Sequence, residues 1–325
     1  MKELIKTLTE TYGPSGNEEK IRNVIKDLVT PYADEVKVDA LGNLIVHKKG
    51  SGDKLMLAAH MDEIGIIVTN IDDKGFIRFS SVGGVSPFIL LGERVIFENG
   101  TIGVIGVEKI DDMKELKMKR LFIDIGASSK EEVMSKVKVG DMATYYRECN
   151  FLGKNISAKS LDDRAGCAVL IKALQEVENP KYDLYFVFTT QEEVGTRGAK
   201  TSAYSIEPEL AIVVDVTICG DTPEGEKIAV DLGKGPAIKI KDMSVLSHPK
   251  IKQLLIDTAE KNNIPYQREV LDLGGTDAGS IHLTKEGVPS GGIAIPTRYV
   301  HTPSEMVNLD DLENTVKLLL AVIEG

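Results

Sequence analysis

Tyr185-Phe186-Val187-Phe188-Thr189-Thr190-Gln191-Glu192-Glu193-Val194-Gly195 is the stretch whose reading decides the fold. Residues 185–188 form a short apolar run of aromatic and β-branched side chains, the composition of a buried parallel strand. Two adjacent carboxylates follow where that strand ends, and Gly195 lets the chain turn away. In open α/β sheets, ligands bind beyond the carboxyl ends of the strands. An acidic pair at that edge can divide its work, one carboxylate binding a metal and the other moving protons. The pair alone is ordinary in a chain with 50 Asp and Glu. Its meaning depends on what else gathers at the same edge.

Outward from this stretch, strands and helices alternate. Residues 1–12 and 17–31 carry helical periodicity, with Leu4 and Leu8, then Ile21, Ile25 and Leu28, on one face. Gly13-Pro14-Ser15-Gly16-Asn17 between them reads as a turn, with Ser15 or Asn17 capping the second helix. Strands are expected at 35–39, 44–47 and 54–59, the last running directly into His60. Beyond residue 157, helices at 164–177, 197–204, 249–261, 278–285 and 309–323 alternate with strands at 185–188, 210–214, 267–271 and 292–295. A further strand or hairpin pair is expected within 227–240. This alternation implies a mostly parallel sheet flanked by helices, an α/β fold. From about residue 67 to 157 the texture changes to short β-rich runs at 76–79, 94–97, 101–107, 121–124 and 142–145, with one helix near 129–137. Such spacing reads as a small all-β barrel or sandwich. The expected organisation is a discontinuous α/β domain, 1–67 and 157–325, with a β-rich domain inserted at 68–156.

Composition narrows the function classes. Hydrophobic residues make up 42% and charged residues 27%, ordinary for a globular protein with ample length for a core. The net charge of −11, with no basic block, argues against nucleic acid as a partner. Cys149, Cys167 and Cys219 form no CxxC pair, so they read as packing residues rather than a disulfide framework or zinc knuckle. The N-terminus lacks the apolar core of a signal peptide, and no apolar run reaches membrane-spanning length. A cytoplasmic protein is expected.

Several residues at strand ends and helix starts share a metal-binding chemistry. His60-Met61-Asp62 follows a strand, where alternate residues point the same way, so a carboxylate can sit beside the imidazole and fix its tautomer. Asp162-Asp163 opens a helix, where acids are often only caps. Asp162 is equally placed to reach the sheet edge, and a carboxylate is the natural bridge between two cations. Asp215 ends an apolar strand, and His301 lies just beyond another. Each has an ordinary reading as a surface or loop residue. Together, two histidines and several carboxylates suit two divalent cations a few ångströms apart. Nitrogen and oxygen donors without thiolate point to zinc, cobalt or manganese. His47 reads as strand surface, His248 as a helix start, and His282 as a helix-surface or packed residue.

His60-Met61-Asp62-Glu63-Ile64-Gly65, Leu161-Asp162-Asp163-Arg164-Ala165-Gly166, Gln191-Glu192-Glu193-Val194-Gly195, Val214-Asp215 and Val300-His301-Thr302 match, in order, the motifs of a known family. On these residues, with Gly274-Gly275-Thr276-Asp277-Ala278, the chain resembles the tetrahedral (TET) metalloaminopeptidases. The resemblance implies a two-metal aminopeptidase. It makes Asp162 the bridge, with His60 and Asp215 completing one metal site and Glu193 and His301 the other. It makes Asp62 the partner that orients His60, and Glu192 the general base that serves a hydroxide held between the metals. It implies short peptides with a free N-terminus as substrates, and the β-rich insert as a dimerisation domain within a hollow twelve-subunit particle. Some members carry the label endoglucanase, which this site chemistry does not support.

The turn holding Gly275, Thr276 and Asp277 borders the substrate pocket or simply feeds the next helix with Asp277 as its cap. Arg298 shapes the pocket or meets another subunit. Competing functions are a related two-metal deacylase or carboxypeptidase, a metal-free glycoside hydrolase using two carboxylates, and a non-catalytic metal-binding scaffold, which would need no general base.

Overall fold

The strands sort into two systems in a computed structural model that describes residues 1–325: one large mixed sheet and one closed six-stranded barrel. At the centre of the sheet, Asp183–Thr189, Lys54–His60, Leu210–Ile218 and Ser290–Arg298 run parallel in that order. They are buried along nearly their whole length, as strands covered on both faces must be. Antiparallel strands flank this centre: Leu44–Lys48 and Glu35–Val38 on one side, Glu305–Asn308, Asn155–Ala158 and Asn150–Leu152 on the other. Ala237–Lys241 pairs antiparallel with Ser290–Arg298 and parallel with Gln267–Val270.

Side chains of successive strand residues point to opposite faces. Leu55, Leu57 and Ala59 therefore pack with Ile5, Leu8, Ile21 and Ile25 and with the helices Leu161–Glu176 and Leu309–Glu324. Met56 and Ala58 pack on the other face, against Ala199 and Ala203 of Arg197–Ile206 and Ile281. The register sets Thr189 beside His60, which brings two strand ends level at one edge.

The barrel follows the His60 strand almost at once. Its strands close in the order Gly65–Ile71, Ile77–Val82, Leu121–Asp124, Ile102–Val107, Arg94–Phe97, Met142–Tyr145, around a separate core that includes Ile66, Phe79, Val95, Ile105 and Ile123. Its one α-helix between the last strands, Lys130–Met134, starts on Ser129, whose hydroxyl accepts the Glu132 N–H at 3.3 Å, while Glu132 reaches back to the Ser128 N–H at 2.9 Å.

Several local expectations change. Neither Ser15 nor Asn17 caps the helix Glu19–Val29: Ser15 donates to Asp62 at 2.5 Å, and Asn17 donates to Glu98 at 3.0 Å. Of the strand or hairpin pair expected within 227–240, the single strand forms, Ala237–Lys241, and the hairpin does not. Gly233 and Gly235 adopt φ of 78° and 92°, and their N–H groups are both taken at 2.7 Å by the Asp311 carboxylate, so the segment is pinned to a helix rather than paired to a strand. No helix is long and apolar enough to cross a membrane.

Candidate functional site

The candidate residues meet at the carboxyl edge of the parallel centre. His60 is the last residue of Lys54–His60. Asp215 lies inside Leu210–Ile218, which continues three residues past it rather than ending there. Glu192 and Glu193 sit in the turn after Asp183–Thr189, and His301 in the turn after Ser290–Arg298 with φ of 62°. Asp162 lies at the start of Leu161–Glu176, but the cap there is Asp163, whose Oδ1 accepts the Gly166 N–H at 2.9 Å, so the Asp162 side chain is left to face the sheet edge.

Asp162 stands between the two histidines. Its Oδ1 is 3.0 Å from His60 Nε2, and its Oδ2 is 3.2 Å from His301 Nε2. Asp215 Oδ1 is 3.9 Å from His60 Nε2, and Glu193 Oε1 is 3.2 Å from His301 Nε2. Two trios result, His60–Asp162–Asp215 and Asp162–Glu193–His301, in each of which the donor atoms lie within 4.8 Å of one another. All five are nitrogen or carboxylate donors of the kind divalent cations take.

The electrostatics fit such an occupant. Burial opposes charge on His301, yet Asp162 and Glu193 outweigh it and push the imidazole up to about 12. His60 is raised as well, burial being overcome by Asp162 and Asp62. Burial drives Asp215 well above the usual carboxylate range, with the Asp162 charge adding to it. Glu193 Oε1 is buried and makes no hydrogen bond, since the nearby His301 nitrogen lacks hydrogen-bond geometry. These lone pairs are clustered without enough positive charge, and divalent cations held by them would displace the imidazole protons.

The surroundings hold these groups in place. His60 Nδ1 lies 3.0 Å from the Asp62 peptide oxygen and 3.6 Å from its carboxylate. The peptide oxygen is thus the nearer partner of the ring. The Asp62 carboxylate instead accepts the N–H groups of Glu192 at 3.0 Å and Glu193 at 3.2 Å, besides the Ser15 hydroxyl. Glu305, which the sequence did not single out, accepts the N–H of Asp162 at 3.0 Å and of His301 at 2.7 Å. Glu63 joins Lys159 at 2.5 Å, Ser160 and the Gly13 N–H at 3.0 Å, a buried knot just before Asp162. The signal for Glu63 was its place directly after His60-Met61-Asp62; Glu305 offered none. The barrel contributes too. A Cβ on Gly84 would stand 2.6 Å from His301 Nδ1, and one on Gly83 3.2 Å from the Glu193 Cβ.

A cavity of about 480 Å³ opens on the five donors and Glu192, and Gly275 and Thr276 line it. Asp277 does not cap Ala278–Ile281; it accepts the Thr189 hydroxyl, and burial pushes its carboxyl up to about 6. Arg298 is absent from the cavity wall and forks onto Asp221, at 2.9 Å from Nε and 2.6 Å from Nη2. His47 pairs with Asp183, His248 caps Pro249–Lys261, and His282 bonds the Ala278 carbonyl. The three cysteines are buried.

A family model described as M42 glutamyl aminopeptidase matches residues 42–318. A protein of Acetivibrio thermocellus, provisionally named an aminopeptidase, is 53% identical over 324 residues, covering 99% of this chain and 98% of its own length. The structure of aminopeptidase APDkam598 from the archaeon Desulfurococcus kamchatkensis superposes with a TM-score of 0.96 at 45% identity, covering 99% of this chain and 94% of that one. The Pyrococcus horikoshii TET1 peptidase, described as assembling into a tetrahedron or a large octahedral shell, matches with a TM-score of 0.89 at 37% identity, over 99% and 98% of the two chains. With the family model spanning most of its length and such relatives along nearly all of it, the chain belongs to the M42 family of aminopeptidases and is a peptide-bond hydrolase.

Proposed function

We propose that this aminopeptidase removes N-terminal residues from short peptides with a free α-amino group, at a centre whose two donor trios, with Asp162 common to both, would hold divalent cations. The observation that carries the reading is the placement of the Asp162 oxygens, one 3.0 Å from His60 and the other 3.2 Å from His301. On this reading His60 and Asp215 complete one ligand set, and Glu193 and His301 the other. Zinc, cobalt or manganese suits these donors. Bound there, the cations supply Lewis acidity toward water and the scissile carbonyl.

The protein's own groups do the rest. Asp62 grips the backbone of both Glu192 and Glu193, so base and ligand are held as one unit. Burial pushes the Glu192 carboxyl well above its ordinary value; His60 opposes this, while the Asp277 and Asp215 charges add to it. A carboxyl biased this way takes a proton from the attacking water and returns it to the departing amine. Gly275 and Thr276 border the peptide, Asp277 braces the Thr189 strand end, and Arg298 steadies the neighbouring loop through Asp221. The insert, read as 68–156, is the surface through which copies pair on the way to a tetrahedral dodecamer; Phe88, Ile102 and Val104 are exposed apolar side chains on it.

A panel of unblocked aminoacyl amides tests this. Chelation should abolish turnover, and added cobalt or zinc should restore it. Glu192→Gln should keep both cations by elemental analysis and lose roughly 10²–10⁴ in kcat. Near-normal turnover would remove Glu192 from the base role, and cleavage confined to N-acetylated substrates would point to a deacylase.

A further inference from the structure

The cavity that receives the candidate ligands is also lined by a buried charge cluster that hydrolysis does not use. Lys239 and Asp242 are on its wall, with side chains 3% and 1% exposed. Lys239 Nζ donates to Glu269 Oε1 at 2.8 Å and lies 3.4 Å from Asp242 Oδ2. Glu269 accepts the Thr217 hydroxyl at 2.7 Å as well. Asp242 Oδ1 is consumed by the turn it closes, accepting the N–H groups of Ser244 at 2.7 Å and Val245 at 2.8 Å. Beyond the 3.4 Å approach of the Lys239 ammonium, Asp242 Oδ2 has no hydrogen-bond partner. Two carboxylates thus face one ammonium, and two oxygens are left without a hydrogen bond, Asp242 Oδ2 and Glu269 Oε2; of these residues Asp242 is the one on the wall of the cavity that must admit the substrate. A buried acceptor without a donor is costly unless something arrives to satisfy it. Leu271 and Leu273 supply apolar wall beside it.

We propose that Asp242 selects the side chain of the residue being removed and favours lysine and arginine. Their methylene stems suit Leu271 and Leu273, and their cationic heads are the donors Asp242 Oδ2 lacks. Lys239 is already engaged by Glu269 and Asp242, so it is not free to recruit an acidic side chain, and a glutamate would bring a third carboxylate into the cluster. The inference rests on the aminopeptidase reading above.

The full-length, metal-loaded protein is assayed on unblocked Lys, Arg, Leu and Glu p-nitroanilides. The kcat/KM for Lys should exceed that for Glu by roughly 100-fold. Asp242→Asn keeps the acceptor that closes the turn and removes the charge. It should lower the Lys-to-Leu ratio of kcat/KM by roughly 10- to 100-fold, the range of one charge-assisted hydrogen bond. Leucine turnover in the variant reports that fold and chemistry survive. An unchanged Lys-to-Leu ratio overturns the proposal. So does a wild-type preference for Glu over Lys, which needs no variant and holds even where Asp242→Asn fails to fold. Leucine cleavage without a basic preference sinks the selection alone. Cleavage of none of the four, with both cations bound, sinks the aminopeptidase reading and this inference with it.

Discussion

Glu305 is not on the wall of the cavity at the candidate site, yet it holds the backbone of two candidate ligands that are 139 positions apart in sequence, Asp162 and His301. Its two oxygens each take one N–H, a task no other side chain can do with a single residue except an aspartate, which is shorter. Glu305→Gln replaces one acceptor by a donor and sets it against an N–H. The expected result is a fall of roughly 10- to 100-fold in cation affinity, measured by competition with a chelator, the usual cost of losing a group that orients ligands. Unchanged affinity would reduce Glu305 to a packing residue. Residues of this kind were not legible in the sequence. His60, Asp162, Glu192, Glu193 and His301 were legible as candidates, because each sits where a recognisable strand or helix begins or ends; Asp215 was read as a strand end, although its strand runs three residues further. Ser15 shows the opposite case: locally it reads as a cap, but a carboxylate 47 positions away claims its hydroxyl.

The elements most legible in the sequence were those whose burial is uniform or strictly periodic, such as Leu210–Ile218 and Leu309–Glu324. Glu305–Asn308 and Asn150–Leu152 were not, since short strands take their identity from the neighbour they pair with. The six-stranded closure of the barrel was legible as a texture of short strands, but its turns do more than connect. The Gly83-Gly84 turn lies against Glu193 and His301. Gly84→Ala would force a methyl to within 2.6 Å of the His301 ring unless one of them moves. The ring is the softer side, so the variant should keep its far-ultraviolet circular dichroism and lose affinity for one of two cations in a titration. Two equal, unaltered sites would show that the turn yields instead.

At the scale of the whole molecule, the barrel stands beside the large sheet with its own core and leaves apolar side chains at its surface. Exposed apolar area on a chain carrying −11 is where copies can meet without opposing charge. Light scattering should give a mass near twelve chains of 35.4 kDa at neutral pH and moderate salt. A stable monomer would contradict the assembly reading and leave the catalytic one standing. Nothing in composition or periodicity reports such a mass.

The five clustered donors run from position 60 to position 301 of a 325-residue chain, and the carboxylate that seats Asp162 and His301 comes later still, at 305. A ribosome must therefore have made more than 300 residues before the last donor can join the rest. Throughout synthesis the emerging chain carries a peptidase fold in preparation and no peptidase. Any peptide with a free amino end that meets the unfinished chain meets a hydrolase that is silent by the order in which its parts are made.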